Sequence, residues 1–177
     1  VGYIGDKIDW KKEKAIYRAW ANIIQKCYSP KVHKTRPYYK ECTVSEEWKN
    51  FQNFKIWYKD YKGKVKQDLD KDILFQGNKE YSPETCVYTT HFINTVFEDR
   101  GSKKLEETKE GKYKIFMMIM GEERDLGVFD TKEECYEAFE KRKKEFIIKL
   151  AEKTKKKDKI PECQYQAMIN WEVKAKE

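Results

Sequence analysis

Apolar residues recur at helical spacing in residues 12–28, "KEKAIYRAWANIIQKCY", where Ile16, Trp20, Ile23, Ile24 and Cys27 share one face and Lys12, Lys14, Arg18 and Lys26 lie elsewhere. The spacing predicts an amphipathic helix. "SPKVHKTRPYYKECT" follows with two prolines and a polar cluster, which reads as a loop. Thr43 and Glu46 stand at the separation of a capping box, ahead of a second helix from about Val44 to Tyr61 that would bury Trp48, Phe51, Phe54 and Trp57. Those aromatics could stack on a cofactor or base, but their spacing favours core packing.

The pattern then changes period. "QDLDKDIL" alternates like a short strand, "FQGNKEYSP" supplies turn formers, and "CVYTT" is β-branched and aromatic like a second strand. Phe92, Ile93, Val96 and Phe97 suggest a helix from about His91 to Asp99. "DRGSKKLEETKEGK" is polar and flanked by glycine, and reads as a linker over 99–112. Beyond it, "YKIFMMIM" and "RDLGVF" joined by "GEE" predict a hairpin. Thr131 then caps a long helix reaching about Glu152, and Pro161 opens a short closing one. The expected fold class is α+β: a helical unit with a strand–loop–strand–helix segment over 1–98, the linker 99–112, and a sheet-plus-helix unit over 113–177.

Composition changes this picture in one respect. The net charge of +7 is unevenly spread, because residues 1–66 hold 16 Lys and Arg against 7 Asp and Glu. Cations interleaved with aromatics, as in "KVHKTRPYYK", suit a phosphate backbone. A lysine-rich solvated surface accounts for the charge about equally well. No apolar run approaches a membrane span, so no membrane partner is expected. The five cysteines are scattered and form no C-x-x-C pair, which points to reduced, packed thiols in an intracellular protein. A zinc site from Cys27, Cys42, Cys86 and a histidine has little support from that spacing. The opening Val1 in place of Met suggests a short missing leader.

The densest chemistry lies in "LDKDILFQGNKEYSPETCVYTTHFIN", residues 69–94, with four carboxylates, two asparagines and a histidine. A first strand offering Asp70 and a helix offering Asn94 is the arrangement of a ββα-metal nuclease, in which a hard cation activates a phosphodiester and a nearby base deprotonates water. On the residues alone, a surface ion-pair cluster at Asp70, Lys71 and Asp72 and a helix-start cap at His91 are the favoured readings.

With "IYRAWANIIQKCYSP" and "YYKECTVSEEWKNFQNF" ahead of it, that stretch resembles the phage-encoded HNH homing-endonuclease-like proteins. The last third, "YKIFMMIMGEERDLGVFDTKEECYEAFEKRKKEF", is similar to the APETALA-type (ERF-like) DNA-binding domain that often follows the HNH unit in them. The resemblance implies metal-dependent phosphodiester hydrolysis in the cytoplasm of an infected bacterial host, more readily a nick than a double-strand cut. It assigns Asp70 and Asn94 as ligands of Mg²⁺ or Mn²⁺ and Asn78 as a brace of the site.

Lys71 stands where the family's general base is usually His, and an ordinary lysine, with a pKa near ~10.4, keeps its proton at neutral pH. Three readings follow: a desolvated Lys71 as base, His91 as base, or Lys71 as a phosphate grip after loss of catalysis. Double-stranded DNA is the expected partner, held by Arg18, Lys26, Lys31, Lys34, Arg36 and Lys40. Tyr113, Lys114 and Arg124 would assist from a hairpin that is otherwise Met-rich and partly acidic. The alternative is a catalytically degenerate protein of the same fold that binds a host nucleic-acid-targeting defence complex, like an anti-CRISPR protein, or regulates transcription.

Overall fold

The structure, a computed structural model, describes residues 1–61, 67–98, 102–157 and 159–175. It is a mixed α and β fold with small sheets. The chain divides into two units, Val1–Gly63 with Leu69–Tyr88, and Lys64–Asp68 with Thr89–Glu177.

In the first unit, α1 spans Trp10–Tyr28 and begins where the Asp9 side chain accepts from Lys11 N. Its apolar stripe buries Ile16, Trp20, Ile23 and Cys27, as the 3.6-residue period requires. The stretch expected as a loop is instead largely helical. Ser29 caps α2 (Pro30–Thr35), and a 3-10 turn covers Pro37–Tyr39. Both prolines sit in the first turn, where the missing N–H costs nothing, so they start these elements rather than break them.

The expected single helix 44–61 is also corrected. Thr43–Val44 form β1, Ser45 caps α3 (Glu46–Lys49), and Asn50 caps α4 (Phe51–Asp60) by accepting from Gln52 N. The break at Asn50 is held from outside the helix: Tyr3 N donates to Lys49 O and Phe51 N donates to Tyr3 O, both at 2.9 Å. Trp48, Phe51 and Phe54 are fully buried, and their rings meet edge-on, Trp48 to Phe54 at 4.9 Å and Trp20 to Phe51 at 5.6 Å. Trp57 is only partly buried.

The strand expected over 67–74 is restricted to β2 (Asp68–Asp70), which pairs with β4 (Val87–Thr89). Between them β3 (Glu80–Tyr81) runs parallel to β1.

The second unit contains α5 (His91–Phe97), capped by Thr90, whose hydroxyl accepts from Ile93 N. His91 is therefore the first helical residue and not the cap. Lys103–Glu107, expected inside a linker, form β5, the first strand of an antiparallel sheet with β6 (Tyr113–Ile119) and β7 (Glu122–Phe129). Residues 99–101 of that expected linker lie outside the described residues.

The β6–β7 hairpin turns on Met120 and Gly121, with φ of 53° and 82°. Two successive left-handed residues make the tight turn that matches strand twist, so Glu122 and Glu123 belong to β7 and not to the loop. A bulge follows, since Phe116 faces Asp125 while Ile115 faces Gly127, leaving Leu126 without an opposite residue.

Ile115, Met117 and Ile119 fill one sheet face. The 25-residue α6 (Lys132–Lys156) packs against the sheet and against α7 (Glu162–Asn170). The boundary expected at residue 98 shifts because α5 is tied into this unit, Phe92 meeting Phe146 at 6.4 Å and Phe97 meeting Trp171 at 4.8 Å.

The α6 start is a full capping box, in which the Thr131 hydroxyl accepts from Glu134 N and the Glu134 carboxylate accepts from Thr131 N. Replacing Thr131 by alanine is expected to cost about 1 kcal/mol, read as a lower midpoint in urea unfolding with an unchanged slope.

Candidate functional site

The residues expected to form a hydrolytic centre are distributed over both units. In the first, segment 70–80 closes on itself. Asp70 Oδ1 accepts from the backbone N–H of Asp72 at 2.8 Å and of Ile73 at 2.7 Å, the bonding of an Asx turn. Burial pushes the Asp70 carboxyl up to about 6, helped by the neighbouring Asp72 charge and opposed by those two N–H groups and by Lys71.

Lys71 is 7 % exposed. Its ammonium donates to Asp72 Oδ1 and Oδ2, both at 2.7 Å, and to Asn78 O at 2.8 Å. An ammonium has three protons, and all three are engaged. Asn78 completes the loop: its Nδ2 donates to Lys71 O and Glu80 O, and its Oδ1 accepts from Glu80 N. The adjoining Tyr-Ser-Pro turn is bonded in the same local way, with Thr85 N donating to Ser82 Oγ and Thr85 Oγ1 donating to Glu80 O. Every donor of Lys71 and of the Asn78 side chain serves the shape of the loop.

In the second unit Asp68 is the organising carboxylate. Its Oδ2 lies 2.8 Å from His91 Nδ1 and accepts from Asn94 Nδ2 at 3.3 Å, while His91 N donates to Gln67 Oε1. Asn94, expected as a metal ligand, donates one amide N–H to Asp68, and the His91 ring stands largely exposed at the helix start. Asp68 is not among the residues that the sequence motif singles out. Its signal was the strand period of two, which puts it on the same side of β2 as Asp70.

A divalent cation needs a converging set of hard oxygen donors. Among the described residues no group of three or more His, Cys, Asp or Glu could hold a metal ion. Asp70 has one oxygen committed to two backbone N–H groups, and burial penalises its charge. This donor set does not fit Mg²⁺ or Mn²⁺. The thiols do not offer a metal centre either: Cys27, Cys42, Cys86 and Cys135 are free and buried, and burial pushes Cys27 and Cys86 up to about 12.

The cations expected to hold a phosphate backbone separate into two groups. Arg18, Lys31, Lys34, Arg36 and Lys40 are exposed, and none forms an ion pair among the described residues. Lysines elsewhere in the same unit do: Lys49 pairs with Glu46, Lys79 with Glu41, and Lys55 and Lys59 with the buried Glu13. Within this unit, exposed cations without an ion pair among the described residues thus lie on α1, α2 and around the 3-10 turn, and Lys26 of α1 lies 5.3 Å over the Tyr39 ring.

The hairpin group is engaged within its own unit. Lys132 sits 5.5 Å over Tyr113, Lys114 pairs with Asp125 at 2.8 Å, and the Arg124 guanidinium lies 5.1 Å over Phe146 of α6. Lys104 is held by Glu106 and Glu123. The sheet thus neutralises its own cations, leaving little for a phosphate.

Among the described residues no helix is long and apolar enough to cross a membrane. Comparison of the chain with family models, curated proteins and solved structures returns no match.

Proposed function

We propose that this protein is a non-cleaving nucleic-acid-binding protein built on an HNH-like frame, which grips the phosphate backbone through its N-terminal basic surface. The observation that carries the reading is Lys71: at the position where the resembled family keeps its base, the chain has a buried ammonium whose three protons bind Asp72 and the Asn78 carbonyl. A group so engaged holds a loop and takes no proton from water. Affinity comes instead from five exposed cations that form no ion pair among the described residues, which release counterions when they meet phosphates.

Incubating supercoiled plasmid with the protein and Mg²⁺ or Mn²⁺ tests the first half. No nicked product is expected, and nicking that disappears in Asp70→Ala would sink the reading. Lys71→His adds a second check: nicking gained by that variant would mean the frame lacks a base and nothing else. Retention on immobilised DNA that falls steeply with salt is the expected result for the second half.

The self-neutralised sheet favours a second reading, in which the target is a host nucleic-acid-targeting defence complex and the surface contacted is protein. In that case a pull-down from host lysate survives nuclease treatment and is insensitive to loss of the N-terminal cations.

A further inference from the structure

The basic surface includes an aromatic ring as well as charge. Tyr38 is 43 % exposed and stands between Arg36 and Lys40 in sequence. Its ring centroid is 4.4 Å from that of Tyr39, with the ring planes tilted by 44°, and the half-buried Tyr39 ring also has Lys26 at 5.3 Å from its centroid. The backbone beneath is fixed: Pro37 opens the 3-10 turn, Lys40 N donates to Pro37 O at 3.0 Å, and Tyr39 N donates to Arg36 O at 3.2 Å. The fixed turn and the tilted contact with Tyr39 limit where the Tyr38 ring can go before any ligand arrives, which lowers the ordering cost of a contact.

A phosphate backbone needs no exposed ring. In a duplex the base faces are already stacked on one another, and a tyrosine on the protein surface meets only sugar and phosphate. Unpaired bases expose their faces, and stacking on an aromatic side chain combined with backbone cations is how sequence-tolerant single-strand binding works.

We infer that the ligand of the α1–α2–turn surface is single-stranded nucleic acid, with Tyr38 stacking on a base while Lys34, Arg36 and Lys40 hold the flanking phosphates. This rests on the proposed nucleic-acid reading and narrows it to one substrate class. Stacking reads the base face and not the sugar, so DNA and RNA strands are both accepted.

Fluorescence anisotropy of the full chain with labelled oligodeoxythymidine, oligouridine and a duplex of the same length decides the matter. Tyr38→Ala is expected to weaken both single strands by about tenfold or more and to leave the duplex unchanged, while Tyr38→Phe, which keeps the ring, retains native affinity. A Tyr38→Ala effect that is absent, or equal on single strand and duplex, overturns the inference while the phosphate-gripping reading stands. A difference of tenfold or more between the DNA and RNA strands overturns the sugar-blind part. Failure of the native protein to bind any of the three at low salt overturns both readings.

Discussion

Changing Lys31, Lys34, Arg36 and Lys40 together to glutamine is expected to weaken nucleic-acid binding on the order of a hundredfold at about 50 mM salt, with little dependence on sequence. Each cation that meets a phosphate displaces a condensed counterion, so four contacts account for roughly three units of the slope of log affinity against log salt. The variant should therefore lose affinity mostly at low salt, and the two binding curves should converge as salt rises. Stability should change little, because all four side chains are exposed and none belongs to an ion pair among the described residues. An unchanged slope in the variant would remove this surface from the binding reaction.

The second large effect concerns stability and pH. The Asp70 carboxyl is pushed up to about 6 in the folded chain, from an ordinary value near 3.8, chiefly because burial penalises its charge. A carboxyl raised on folding stabilises the native state fully below its unfolded pKa, and that contribution is lost as pH climbs through the folded value. Between about pH 4 and pH 6 the protein should lose stability through this group, and above that it carries the cost of a half-buried, poorly solvated carboxylate.

Asp70→Asn keeps an acceptor oxygen for the N–H groups of Asp72 and Ile73 and removes the charge. It is expected to stabilise the protein by roughly 2–3 kcal/mol near pH 7.5, and by nothing near pH 4. Urea unfolding at the two pH values checks it. A variant less stable than the native protein at pH 7.5 would show that the carboxylate charge is supported by something stronger than its burial cost. Added Mg²⁺ that stabilises the native protein but not Asp70→Asn would restore the metal-ligand role that the donor set argues against.

Long regular elements were legible in the sequence because their signals are local. The Ile16–Cys27 stripe, the Thr131 cap and the apolar run of β6 each carry enough information within a few turns or residues to specify the element. The misread segments depend on partners elsewhere. Asn50 breaks a helix that periodicity joins, because Tyr3 bonds both sides of the break from 47 residues away. "KKLEE" is too polar to look like a strand, yet β6 satisfies its backbone in full register from Lys103 to Glu107.

The candidate site was legible as a cluster and not as a mechanism. Residue types put Asp70, Lys71 and Asn78 together, but only geometry reveals that the lysine points inward at Asp72 and a carbonyl. The same holds for Arg124, whose charge suits a phosphate and whose position puts it over Phe146.

The order in which the chain visits its units bears on any attempt to study them apart. Residues 69–88 belong to the first unit, whereas Asp68 just before them and Thr89 just after them belong to the second. A single cut at residue 98 would carry α5 away with the N-terminal fragment and strand Phe146 and Trp171 without the rings they pack on. Neither half made in this way is a complete folding unit. Isolating the C-terminal unit intact requires retaining the two flanks of this excursion and bridging them with a short synthetic linker.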